Sequence, residues 1–228
     1  MAPTKLDLLQ QHKAEYVTPK KPVLLKVGPA KYLAVEGRGA PADVAFQAAV
    51  GALYAVAFTI KMTRKLAGKG DYKIAWLEGL WWGPDKRAPF AVKSPKDWRW
   101  KILIRTPTFV AARDLAKAQK ELLAKGKVAE VAKVKLETLR EGRCVQMLHV
   151  GSYATEPATI EAMLDFAEAQ GLSFLGVHHE IYLSDPRRVP PGKLRTILRH
   201  SVRRRSGAVV RGLREQPTGD NHRRSKGG

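Results

Sequence analysis

The stretch Lys73–Pro84, KIAWLEGLWWGP, gathers three of the chain's five tryptophans around one carboxylate, Glu78. So many aromatic and apolar residues in a short run predict a strand. In a strand alternate residues share a face, so Trp76, Glu78, Leu80 and Trp82 point one way, and Leu77 and Trp81 the other. Tryptophan is ordinarily core. An unpaired carboxylate is not, because burying it costs several kcal/mol or forces it to take a proton. Glu78 therefore either faces solvent or sits where a polar or cationic group satisfies it. With Trp76 and Trp82 on its own face, a flat cationic guest would find stacking surfaces and a counter-charge. Trp81 faces away and reads as core, although a twisted strand end could bring it in.

Outward from this strand the chain is ordered as strands, a helix and strands again. The first 20 residues form a helical lead-in, LDLLQQHKAEY, that ends before Pro19. Val23–Val27 and Tyr32–Val35 are two β segments punctuated by Gly28-Pro29. Asp43 then opens a helix with Phe46, Val50, Leu53, Tyr54, Ala57 and Phe58 at helical spacing, stopped by Gly68 and Gly70. After the tryptophan strand come another strand, Arg99–Pro107, and a helix over 108–126 that Thr108 could cap.

The pattern then restarts. Strands around Val134–Leu139 and Val145–Val150 are joined by a turn at REGR, residues 140–143. Thr155 caps a helix with Pro157 in its first turn, and Gly171 ends it. HHEIYLSDP and KLRTILRHSV supply two more strands. Glu78 lies eight residues beyond Gly70 and Glu180 nine beyond Gly171, so each half carries a post-helix strand with a central glutamate. Two such units side by side predict an α+β domain with pseudo-two-fold symmetry. Their post-helix strands would line a ligand groove between the halves. The domain is expected over 21–200, with halves at about 21–107 and 131–200.

The net charge is +20, and the last 28 residues hold eight Lys or Arg against two Asp or Glu. Residues 201–228 read as a basic, disordered tail with salt-sensitive, nonspecific attraction to nucleic acid. No zinc-finger, basic-zipper or clear helix-turn-helix pattern accompanies it, so specific nucleic-acid reading is not expected. One cysteine, Cys144, excludes a disulfide framework and a cysteine-rich zinc site. No secretory signal is visible and no apolar run approaches a membrane span, so the expected location is cytoplasmic, without a membrane partner. His178 and His179 are adjacent and would face opposite ways on a strand, with no third ligand at zinc-like spacing. No metal and no cofactor are expected.

HVGSYATEPATIEAMLDFAEAQGL, from His149, and HHEIYLSDPRRVPPGKLRTILR, from His178, resemble the GyrI-like small-molecule-binding family. So do KLDL, KKPVLLKVGPAKYLAVEGRG and LEGLWW nearer the start, and the resemblance spans about residues 5–200. EIYLSDPRR is its most specific part. The resemblance implies an α+β fold made of a duplicated βαββ-type repeat, with a ligand groove between the halves where aromatic side chains and a buried glutamate engage lipophilic cationic compounds. It extends to stand-alone members that hydrolyse the cyclopropane ring of DNA-alkylating antibiotics within an aromatic cage, the cyclopropanoid cyclopropyl hydrolases. Glu180 falls at the position of the family's groove glutamate. His178 and Tyr182 share its strand face, and Tyr153 precedes the second helix within reach. On this reading Glu180 or Glu78 orients or deprotonates water, and Tyr153 stabilises the charge that develops on the opening ring. Trp76, Trp81, Trp82, Tyr182 and His178 line the site. Two other readings are a noncatalytic trap for lipophilic cations and a gyrase-inhibitor-like protein-binding module. The expected partner is a flat aromatic or cationic small molecule, and the chain itself a monomer or homodimer.

Overall fold

Alternating apolar residues bounded by glycine and proline become strands, and the two long apolar-faced segments become helices. The computed structural model describes residues 5–86, 97–126 and 129–205. Among these described residues there are nine strands: β1 Val23–Val27, β2 Ala30–Arg38, β3 Leu77–Trp82, β4 Arg99–Arg105, β5 Lys135–Leu139, β6 Gly142–Val150, β7 Leu172–Phe174, β8 His178–Tyr182 and β9 Arg195–Arg204. The helices are α1 Leu8–Gln11, α2 Val44–Leu66, α3 Ala112–Ala124 and α4 Glu156–Ala169. One antiparallel sheet runs β1-β6-β9-β8-β3-β4-β2-β5, with β7 added on β9.

That order reads the same from either end when β1, β2, β3 and β4 are exchanged with β5, β6, β8 and β9. The α+β architecture is thus built around a pseudo-two-fold axis, and each half lends its first strand to the other's edge: β1 pairs with β6 and β5 with β2. The halves meet at β3 and β8, where Gly79 lies across from Glu180 and Leu80 from His179. One constant shift in number carries the bounds of β1 and β2 onto those of β5 and β6. Followed through the pairings, the same correspondence places the axis through the Gly79–Glu180 pair.

This corrects the expected match between the two glutamates. Glu78 corresponds to His179, and Glu180 to Gly79. The spacing of eight residues in one half and nine in the other was a one-residue slip, and a one-residue slip moves a side chain to the opposite face of a sheet. Glu78 and Glu180 do not share a groove.

Both long helices pack on one face. Phe46, Ala49, Leu53, Val56 and Ile60 of α2 meet Leu33, Val35, Trp81, Trp100, Ile102 and Ile104, and Leu115, Ala118 and Leu122 of α3 join them. Met163 and Ala167 of α4 cover Val145, Leu198 and Val202. The buried stripe of α2 is rotated from the one its periodicity suggested, because Tyr54 and Phe58 are 40% and 56% exposed. This 23-residue helix is long and apolar enough to cross a membrane by length and composition. Its apolar face is instead seated on the sheet. Asp43 accepts from the Ala40 amide at 2.7 Å rather than capping the helix it precedes. The helix expected over 108–126 begins at Ala112, where Asp114 accepts from the Ala111 amide at 2.8 Å.

The lead-in crosses the other face. Leu9 and Tyr16 pack there on Ile181 and Ile197, with Trp76 at the margin. β9 continues through Arg204, so the disordered tail expected from residue 201 does not begin there; its first residues pair with β6 and β7, and 206–228 lie outside the described residues.

Candidate functional site

The environment of Glu78 is built from the chain's own groups. Its side chain has no exposure. Oε1 accepts from the Tyr16 hydroxyl at 3.1 Å, and Oε2 lies 3.0 Å from His179 Nε2. The other His179 nitrogen, Nδ1, lies 2.8 Å from Glu141 Oε1, and Arg199 donates to Glu141 Oε2 at 2.8 Å. Arg199 also donates to Gln146 at 2.7 Å and to the Glu15 carbonyl. Arg105 donates to the Glu15 carboxylate at 2.6 Å and to the Tyr16 hydroxyl at 3.2 Å. Carboxylates on both ring nitrogens of His179 call for an imidazolium, since only that form donates from both. Burial would lower the His179 pKa, but Glu141 and Glu78 outweigh it and lift it to about 9. Burial would raise the Glu141 carboxyl, and His179 and Arg199 instead hold it down at about 2. The cation that the sequence around Glu78 demanded is His179, two residues along β8 from Ile181, the residue paired with Glu78. Trp76 makes an edge contact with Tyr16 at 5.9 Å, and Trp82 is buried with Tyr32, Leu80 and Leu103. These three candidates belong to the sheet's second, covered face. Cavities of about 250 and 190 Å³ on that face are lined by Lys135, Glu137, Lys101 and neighbouring sheet residues, away from Glu180.

The helix face is different. His178, Glu180 and Tyr182 share it, directly across from Trp81, Gly79 and Leu77. It lies between the sheet areas covered by α2 and α4. Glu180 Oε1 is 3.1 Å from His178 Nε2, and Glu156 Oε2, at the start of α4, is 3.9 Å from the same nitrogen. His178 Nδ1 is 2.8 Å from His200 Nε2, and the His200 ring stacks on Phe174 at 4.2 Å. The Tyr182 hydroxyl accepts from Trp81 Nε1 at 3.0 Å, and the Tyr153 ring meets Tyr182 edge to face at 6.2 Å. Burial and then the Glu180 charge push Glu156 up to about 7. Burial would lower His178, but Glu156 and Glu180 lift it to about 9. Burial, with Glu180 and Glu156 adding to it, raises Tyr153 to about 12. Burial, followed by the His178 charge, drops His200 well below the ordinary histidine range. Among the described residues no Lys or Arg forms an ion pair with Glu156 or Glu180.

The fold thus gathers Glu180, His178, Tyr182 and Tyr153 and stacks Trp81 on Phe46 beneath them at 5.5 Å. It leaves Glu78, Trp76 and Trp82 on the far side. Three contributors escaped the sequence reading. Glu156 was hidden as an ordinary first-turn acid, and His200 as a residue of a plain strand. Gly79 did carry a signal, because glycine inside a strand often marks a close approach. A β-carbon there would lie 2.6 Å from the Tyr182 hydroxyl and 2.8 Å from Trp81 Nε1, so only glycine admits their hydrogen bond over the floor. Chain spacing also misled about clustering: Glu156, His178 and Glu180 place one donor atom each within 4.8 Å of one another, although they come from two elements. Their contacts are ion-pair approaches of the two carboxylates to one imidazole nitrogen, at 3.1 and 3.9 Å, and no metal is assigned to the cluster.

A small-molecule-binding role for this geometry agrees with the comparisons. The model of the GyrI-like small molecule binding domain matches residues 100–200. An uncharacterized conserved protein from Listeria innocua is 39% identical, with a TM-score of 0.81 over 87% of this chain and 100% of its own. A hydrolase from the same organism is 36% identical, with a TM-score of 0.78 over 87% of this chain and 100% of its own. The C-terminal domain of EcmrR shares the fold alone, at 9% identity and a TM-score of 0.51 over 81% of this chain and 98% of that one. No curated protein matches the sequence. The chain belongs to the GyrI-like small-molecule-binding family.

Proposed function

We propose that the protein is a hydrolase that holds a flat aromatic substrate between α2 and α4 and opens a strained cyclopropane ring in it by adding water. The observation that carries this reading is Glu180. It is a buried carboxylate on the helix face, held by His178 and bordered by Tyr153 and Tyr182. Its support from relatives is the 36% identical Listeria innocua hydrolase. In the reaction Glu180 takes a proton from water as the water oxygen bonds to the ring carbon. The strained carbon–carbon bond breaks, and its electron pair moves to the conjugated carbonyl oxygen. That oxygen is stabilised by a hydrogen bond from Tyr153 and takes back the proton, so the net change is one added water. Ring strain supplies much of the driving force, and the aromatic edges of Tyr153 and Tyr182 supply stacking surface.

A second reading, noncatalytic capture of lipophilic cations, is favoured by one observation: two buried carboxylates share a single imidazole partner. Incubation with a cyclopropane-bearing alkylating compound, followed by mass spectrometry, separates the two. Hydrolysis gives a product heavier by one water, and Glu180→Gln abolishes it. A compound that is retained but unchanged in mass would replace the hydrolase reading with capture.

A further inference from the structure

Glu156 has no part in the chemistry derived so far, yet it is the most unusually placed group beside Glu180. It is 6% exposed at the first turn of α4, and its Oε1 has no hydrogen-bond partner among the described residues. Its Oε2 approaches His178 Nε2, which already lies closer to Glu180. Among the described residues, Glu180 and His178 from β8 and Tyr153 from the turn before α4 act on it, while Tyr182 borders Glu180 and His200 borders His178. Only His178 can become a cation among them, because burial and the His178 charge keep His200 neutral. Among the described residues, two carboxylates and one imidazolium leave one negative charge over in a buried place. A buried uncompensated carboxylate neutralises itself by taking a proton, and two adjacent carboxylates do so as a unit.

We propose that Glu156 is a second ligand-determining carboxylate of the cleft: in the empty site it shares one proton with Glu180, and a cationic guest enters by displacing that proton into solvent. The ligand class that follows is a flat aromatic bearing a fixed positive charge, which supplies the charge the proton supplied before. A neutral aromatic of the same shape binds without disturbing the proton. The inference rests on the cleft being the binding site, but not on hydrolysis.

The test uses the full-length protein with 10-methylacridinium as the cation and 10-methylacridone as its neutral counterpart. Titration calorimetry at pH 6 in buffers of different ionisation enthalpy should count close to one proton released per cation bound, and none for the acridone. Cation affinity should rise about tenfold per pH unit below the step of the pair and level off above it. In Glu156→Gln the release should vanish. Carbon-13 carboxyl resonances of the empty protein, assigned with Glu156→Gln and Glu180→Gln, give a second measurement that needs no ligand. The Glu156 signal should titrate near pH 7, with the Glu180 signal sensing the same step. Release that persists in Glu156→Gln would assign the proton to His178 and overturn the proposal. Failure of 10-methylacridinium to bind would overturn it too; a normal carboxyl step near pH 7 would then locate the fault in the cleft rather than in the pair. Dependence of binding on an added divalent cation, removed by chelator, would equally overturn it.

Discussion

His178 and His179 are neighbours in the chain and opposites in the fold. His179 sits between Glu78 and Glu141, with Arg199 closing the circuit and the lead-in lying over it. His178 sits between Glu180 and Glu156, with no arginine or lysine ion pair to either among the described residues. Both imidazoles lie between two buried carboxylates, and both are lifted to about 9. The difference is in the balance around them. On the covered face charges and hydrogen bonds are matched, as a structural network requires. On the helix face, among the described residues, a carboxylate is left over beside Tyr153 and Tyr182. Unmatched buried charge is costly to a fold, and such sites are where function is expected.

Removing the centre of the matched network should produce the largest effect. In His179→Ala two buried carboxylates lose their shared cation, and a loss of about 3–5 kcal/mol is expected in urea unfolding. A loss below about 1 kcal/mol would mean that the network does not stabilise the fold. The same group predicts the next effect, an alkaline decline. A histidine whose folded pKa is raised stabilises fully below its unfolded value of 6.5 and loses that contribution as pH rises toward about 9. Melting temperature should therefore fall between pH 6.5 and 9. His178 adds to this with the same sign. The His179→Ala variant should retain only the His178 part. Glu156 acts lower on the scale. Its folded pKa is raised to about 7, so the protonated form is favoured on folding and stability declines as pH rises from 4.5 toward 7.

Gly79→Ala should follow, at about 1–3 kcal/mol, because its new methyl must displace the Tyr182 hydroxyl or the Trp81 indole. This change acts on the helix face, so it should also weaken ligand binding in the cleft more than His179→Ala does at matched folded fraction. Equal effects on binding would erase the distinction between the faces.

Much of the fold was legible in the chain. Glycine and proline punctuation marked the strands, and the restart after residue 130 marked the second half. The opposite facing of His178 and His179 followed from strand geometry alone. What failed was register. Matching Glu78 to Glu180 by distance from a glycine ignored a difference of one residue, and the face of a side chain depends on that one residue. The partners of Glu78 were illegible for another reason. Tyr16, Glu141 and Arg199 reach it from a lead-in, a turn and a distant strand, and no local pattern encodes contacts made only when a sheet closes. Glu156 stayed hidden because a carboxylate in the first turn of a helix has an ordinary explanation in the helix dipole. Only its burial beside Glu180 sets it apart.

The smallest stability effect, and the sharpest test of the comparison, belongs to Glu180→Gln. The amide keeps the shape and can still accept from His178, while the like charge facing Glu156 disappears. Folding stability should change by less than about 1 kcal/mol, and the favoured sign is stabilising. Glu78→Gln is the counterpart on the covered face, where loss of the charge leaves His179 and Tyr16 poorly matched, so it should destabilise clearly. Turnover should divide the other way. A lost general base costs about 100-fold or more in rate, so Glu180→Gln should be nearly inactive while fully folded. Glu78→Gln should keep its rate per folded molecule. If Glu180→Gln destabilises the protein and keeps its activity, while Glu78→Gln does the reverse, then the matched face carries the chemistry and the assignment of the two faces is inverted.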